Sequence, residues 1–126
     1  MSHLNEMRDG YNSAGQYYDS AKRAPNERDK AALQEKGDEA YGKAQEAAEK
    51  EKQEIRNESC KKANECYDKQ AEAYEKGDYK KAKEYQEQGD KAMEEGKQKE
   101  KQIAEEQEKL EREARSKMEG LEKTRH

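Results

Sequence analysis

Two helical stripes meet at a four-residue turn, and that junction limits what the chain can fold into. The stretch from Cys66 to Met93 reads CYDKQAEAYEKGDYKKAKEYQEQGDKAM. Within it, Lys76-Gly77-Asp78-Tyr79 supplies both a stop and a start. Gly77 accepts the left-handed backbone that closes a helix just past its last turn. The Asp78 carboxylate can then accept from the free N–H groups of the next helix. Before the turn, Ala63, Tyr67, Gln70 or Ala71, and Tyr74 recur at helical spacing; after it, Ala82, Tyr85, Gly89, Ala92 and Met93 do so. Steps of three and four mark amphipathic helices. Two such stripes joined by so short a turn predict an antiparallel hairpin.

The same periodicity runs through the rest of the chain. Leu4, Met7, Tyr11, Ala14, Tyr18 and Ala21 predict a first helix over 3–23, with Gly10 and Gly15 inside it. Pro25 lacks the N–H that a helix interior needs and biases Ala24 away from helix. Asn26 is the expected cap of a second helix, with Glu27 and Asp29 in its first turn. That helix is expected over 27–76, about 75 Å if straight. Its stripe is Leu33, Gly37, Tyr41, Ala44, Ala48, Ile55, Ser59, Ala63, Tyr67, Ala71 and Tyr74. The polar run around Asn57 is its weakest point. A third helix over 79–119 carries Ala82, Tyr85, Gly89, Ala92, Gly96, Ile103, Leu110, Ala114, Met118 and Leu121, with fraying expected near Gly120. The expected fold is all-α, an elongated antiparallel three-helix arrangement in which the third helix returns along the second and the first covers the second's N-terminal half.

Composition decides between helix and disorder. Phe, Trp and Val are absent, and the large apolar residues are eight Tyr, four Met, four Leu and two Ile. So few large aliphatics often signal disorder. Disorder also wants a high net charge, and here 27 basic and 31 acidic residues nearly cancel, leaving −4. Ala, Glu, Lys, Gln and Arg are strong helix formers, so a thin helical core is expected. The acidic balance argues against a protein that coats nucleic acid, though not against a local basic patch. No apolar run approaches the roughly 20 residues of a membrane span, and MSHLNEMRDG has no signal-like apolar segment. The cytosol or the nucleus is expected, with no membrane association. Cys60 and Cys66 lie about 9 Å apart along one predicted helix and point about 240° apart. Cα atoms beyond about 7 Å cannot be bridged, so free thiols are expected.

The chain also echoes itself. LQEKGDEAY at 33–41 aligns with YQEQGDKAM at 85–93, and Tyr18-Asp19 corresponds to Tyr67-Asp68 at a slightly shorter offset. This predicts one helical domain over 1–126, built from two hairpin repeats of about 4–55 and 56–105 with a helical extension over 106–122. It also separates two identical spellings. Glu35-Lys36-Gly37-Asp38 and Glu75-Lys76-Gly77-Asp78 read alike, but Gly37 aligns with Gly89, inside a helix. Gly37 and Gly89, with Ala82 and Tyr85, are therefore the expected helix-packing residues, and Pro25, Asn26, Gly77 and Asp78 the structural turns.

Residues 73–89 read Ala73-Tyr74-x-x-Gly77-Asp78-x-x-x-Ala82-Lys83-Glu84-Tyr85-x-x-x-Gly89. This pattern resembles the helical domain of unknown function that precedes Smr endonuclease domains, over about 60–104 and, in degenerate form, upstream. The chain departs from it at Gln86, where the family favours Ser, and at Gln70, where it favours Ala. The resemblance implies a helical hairpin of the kind found in proteins of RNA and ribosome surveillance. It implies no nuclease activity, because the residues after it leave no room for an Smr domain. Gly77-Asp78-Tyr79-x-x-Ala82 is also similar to the turn of a tetratricopeptide repeat, without the closing proline, and to that of microtubule-interacting-and-trafficking modules.

Catalytic signatures are absent from the sequence. The histidines are His3 and His126, and no His-x-x-x-His or Glu-x-x-His occurs to hold zinc or di-iron on a helix. Neither Gly-x-Gly-x-x-Gly nor a Walker-type phosphate loop is present. Asn57-Glu58-Ser59 matches a glycosylation sequon that has no secretory context. No enzyme, cofactor or metal site is expected. The expected function is a helical interaction or scaffold protein with a protein partner. The alternatives are an RNA- or ribosome-associated module and a coiled-coil-like structural component, with self-association open. Tyr17, Tyr74 and Tyr79 fall beside the main stripes and are the candidate partner face, because a phenol can pack its ring while its edge stays wet.

Overall fold

The computed structural model describes residues 3–124, with side chains described as far as Leu121; His126 lies outside the described residues. It contains three helices, α1 (Leu4–Lys22), α2 (Glu27–Glu75) and α3 (Tyr79–Thr124). The protein is all-α. No helix among the described residues is long and apolar enough to cross a membrane.

Each junction is made by the expected chemistry. Asn26 Oδ1 accepts from the Asp29 backbone N–H at 2.8 Å, and Asn26 Nδ2 donates to the Asp29 carboxylate at 3.2 Å, so α2 starts on a side-chain cap whose amide the Asp29 carboxylate holds. At the other turn, Gly77 has φ of 77°. The Asp78 N–H reaches back to the Ala73 carbonyl at 2.8 Å and the Gly77 N–H to the Tyr74 carbonyl at 3.0 Å. That pair of bonds is a Schellman closure. Asp78 then caps α3, its Oδ1 accepting from the Lys81 N–H at 3.2 Å. The helix passes through Asn57 without a break, and Gly37 lies inside it.

The chain divides into two compact units: residues up to Glu51 with those from Ala104 onward, and Lys52–Ile103. In the first unit, α1 runs antiparallel to the early part of α2. The His3 N–H donates to Glu51, Gly10 faces Ala44, and Tyr18 donates to Asp38. The late part of α3 lies parallel to α1, pairing Arg8 with Glu106, Tyr11 with Glu111 and Asp19 with Lys117. Their core gathers Ala14, Tyr18, Ala21 and Leu121, with Leu33, Ala40, Tyr41 and Met118 packed on it. The segment 106–122, expected as an extension, thus lies in this unit as its third helical element. It also explains why α3 continues past Gly120: Leu121 is fully buried. Burying a Leu gains roughly 1.5–3 kcal/mol, more than one mid-helix glycine costs.

The second unit is a hairpin of two helical segments. Arg56 donates to Glu100, Ser59 faces Gly96 and Tyr67 faces Gly89, an antiparallel register. Its buried side chains are small, Ala63, Ala73 and Ala82. Its larger apolar groups, Ile55, Tyr67, Tyr85, Met93 and Ile103, are half-buried.

One part of the expected stripe is corrected. Ala71 is exposed, Tyr74 is 49% exposed, and Ala73 is buried instead. Helices converging on a tight turn approach closely, so the inward position next to the turn takes a small side chain. A tyrosine there would hold the helices apart.

Candidate functional site

The turn of the second unit carries the two most exposed large apolar side chains among the described residues, Tyr74 and Tyr79 at 49% and 66%. The Schellman closure sets the spacing of their backbones, because Tyr74 lies in the last turn of α2 and Tyr79 opens α3. Their ring centroids stand 5.7 Å apart with planes inclined at 53°, within the range of favourable aromatic pairs. Buried Ala82 anchors the start of α3 beneath them. Tyr85 is half-buried further along, with the Lys69 ammonium 5.9 Å from its ring centre.

The charges around this turn run against the helices they sit on. The last turn of α2 has no basic residue and carries Glu72 and Glu75. The first turn of α3 has no acidic residue and carries Lys80 and Lys81. A helix prefers the opposite arrangement at both ends, as α2 shows with Glu27 and Asp29 in its first turn. Lys76, Lys80, Lys81 and Lys83 are exposed, and none forms an ion pair among the described residues. Elsewhere lysines do so, as in Lys62–Glu58 and Lys117–Asp19. A notch of ≈ 250 Å³ opens beside the turn, lined in part by Lys69, Lys76, Lys81 and Tyr85. Departures from local preference of this kind concentrate at functional sites.

Searched against family models, curated proteins and solved structures, the chain matches none of them. The Smr-associated pattern of residues 73–89 therefore rests on its residues alone.

The remaining candidates fall elsewhere. Tyr17 belongs to the first unit, half-buried in a groove of ≈ 570 Å³ lined by residues that include Asp9, Ser13, Lys36 and Lys43. Gly37 and Gly89 both sit against a tyrosine ring. A Cβ built on Gly37 would lie 2.6 Å from Tyr18, and one on Gly89 would lie 2.5 Å from Tyr67. Each ring donates its hydroxyl to the next residue's carboxylate, Tyr18 to Asp38 at 2.5 Å and Tyr67 to Asp90 at 2.6 Å. Pro25 and Asn26 are exposed at the first junction.

A polar network in the first unit had no signal in the sequence. Tyr11 donates to Glu111 at 2.7 Å and accepts from Gln107 at 3.1 Å. Arg115 reaches both Glu111 and the Tyr41 hydroxyl, and the Tyr11 and Tyr41 rings meet edge to face at 5.3 Å. Burial first, then the Glu111 carboxylate, pushes the Tyr11 phenol well above its ordinary value, so it stays protonated. Nearby, Arg8 grips Glu106 through two nitrogens and holds that carboxyl below its usual range. These groups satisfy one another, which is what a structural network does. Among the described residues no cluster of His, Cys, Asp and Glu could hold a metal ion.

Proposed function

We propose that this is a non-enzymatic helical interaction protein that meets another macromolecule at the Tyr74–Tyr79 turn. The observation that carries the reading is the exposure of two neighbouring, mutually tilted tyrosine rings on a turn that a Schellman closure and an Asp cap hold in place. Aromatic side chains presented on a fixed backbone are characteristic anchors of binding surfaces. In the first unit, Tyr11, Gln107, Glu111, Arg115 and Tyr41 are committed to one another. The enclosed hollow between Ile55, Ser59, Ala92 and Gly96 measures ≈ 40 Å³, room for little more than water.

Photo-crosslinking tests the reading. A photoreactive phenylalanine analogue replaces Tyr79 in one variant and exposed Glu108, on α3 in the first unit, in another, in cells that make the protein. Crosslinks to a partner should form at position 79 and be weak at position 108. Equal yields at both positions, or none at 79, would count against the turn as the contact face.

A further inference from the structure

The chemistry of the turn narrows its partner, on the footing of the reading just given. We propose that the Tyr74–Tyr79 turn is a stacking platform for single-stranded nucleic acid. The two rings are exposed, with centroids 5.7 Å apart. Beside them are four exposed lysines that no carboxylate occupies, Lys76, Lys80, Lys81 and Lys83. Lys83 follows Tyr79 by one helical turn, so the two share a face. Glu75 and Asp78 are the acidic residues between Tyr74 and Lys83. Asp78 is engaged with the α3 N-terminus, accepting from the Lys81 N–H. Between Tyr74 and Lys83 lysines thus outnumber carboxylates, with Glu72 and Glu84 flanking the stretch, in a chain whose net charge is −4.

Each candidate partner needs a different subset of these groups. An acidic peptide needs the lysines and leaves the rings without a role. An apolar helix needs an apolar groove, and the notch beside the turn is lined mostly by charged side chains, with neither Tyr74 nor Tyr79 among them. A duplex hides its base faces and offers only phosphates. A single strand uses both sets: an unpaired base lies against an aromatic face while neighbouring phosphates meet ammonium groups. The lysines in the first turn of α3 fit the same account. They are unfavourable for the helix by itself. A phosphate brought near that N-terminus would be held by the lysines and by the positive end of the helix dipole together.

Fluorescence anisotropy with a short labelled polyuridine tests this at several salt concentrations. Circular dichroism checks that each variant keeps its helix content, as substitutions at exposed residues should. Tyr79→Ala should weaken binding roughly 5- to 150-fold, the range for removing one stacked base, and Tyr79→Phe should bind within about twofold of the unaltered protein. The double variant Lys80→Gln/Lys83→Gln should make the logarithmic salt dependence shallower by about 1 to 1.5, two phosphate contacts at roughly 0.7 each. Unchanged affinity in Tyr79→Ala would mean charge alone is read, and the platform is overturned. Polyglutamate or anionic vesicles binding as tightly as polyuridine, with the same loss at the lysines, would overturn it too. Absence of polyuridine binding while position 79 still crosslinks to a protein refutes the nucleic-acid assignment and leaves the interaction reading standing. Absence of both removes the two together.

Discussion

The same contact is built twice in this molecule, and its surroundings differ. In the first unit Tyr18 lies over Gly37 and donates to Asp38; in the second Tyr67 lies over Gly89 and donates to Asp90. The hydrogen bonds are alike at 2.5 and 2.6 Å. Tyr18, however, is fully buried in a core that the late part of α3 closes with Met118 and Leu121, whereas Tyr67 is half-exposed on a two-helix hairpin. A local motif of ring, glycine and carboxylate fixes how two helices approach. Whether that approach is also a stability core depends on a third helical segment.

The largest expected effect comes from removing each ring. Tyr18→Ala should cost about 3–5 kcal/mol, the usual range for deleting a buried aromatic, and Tyr67→Ala about 1 kcal/mol or less. Urea unfolding of the two variants measures this. Equal losses would break the comparison and place Tyr67 in a core.

Next in size is the filling of each glycine. At Gly37 the added methyl meets a ring that has nowhere to go. Gly37→Ala should lose about 1–2 kcal/mol net, overpacking outweighing the roughly 1 kcal/mol gained in helix propensity. At Gly89 the Tyr67 ring can swing toward water, so Gly89→Ala should stay within about 1 kcal/mol of the unaltered protein. Thermal unfolding of both variants reads the difference. A larger loss at Gly89 than at Gly37 would reverse the picture.

These two tyrosine contacts show what the sequence made legible and what it did not. Gly37 and Gly89 are legible as packing glycines because the two blocks around them align, and the turn at Gly77-Asp78 follows from the backbone needs of a left-handed residue and a cap. Burial was less legible. Tyr18 and Tyr67 occupy matching positions in similar stripes, and nothing near either one tells that residues about a hundred positions away close over Tyr18. Charged pairing was not legible either. With 46% of the chain charged, almost any acidic residue could have been assigned to Arg8. Nor could the pattern show that four lysines near the turn would be left without acidic partners. At Ala73 and Tyr74 the period alone chose the wrong neighbour, because steric convergence at the turn overrides a drifting stripe.

Alkaline pH should separate the two units by a different route. Burial, and then the Asp38 carboxylate, holds the Tyr18 phenol well above its ordinary value. For Tyr67 the hydrogen bond to Asp90 is the leading cause of a shift in the same direction. A raised folded pKa contributes stability that is fully present below the unfolded value of about 10 and is lost as pH rises beyond it. Urea midpoints should therefore fall between about pH 9 and about pH 11. Tyr18→Phe should flatten that fall more than Tyr67→Phe. An equal response of the two variants would mean that burial does not distinguish these phenols.

The smallest effect is a control on sign. A Cβ at Gly42, also in α2, would meet nothing within 4 Å. Gly42→Ala should stabilise by up to about 1 kcal/mol through helix propensity. A loss there would mean that glycines in α2 matter for some reason other than the ring above Gly37.

The division of the chain has a consequence for the order in which it folds. Lys52–Ile103 is one contiguous stretch, whereas the other unit joins residues up to Glu51 with those from Ala104 onward. Its tyrosine core waits for Leu121, about a hundred positions after Tyr18, so its contacts carry a high loop-closure cost. On the ribosome the hairpin with the exposed tyrosines can form as soon as it has emerged, while α1 still has an uncovered apolar face. For that interval the early part of the nascent chain presents Met7, Tyr11 and Tyr18 to whatever holds unfinished proteins.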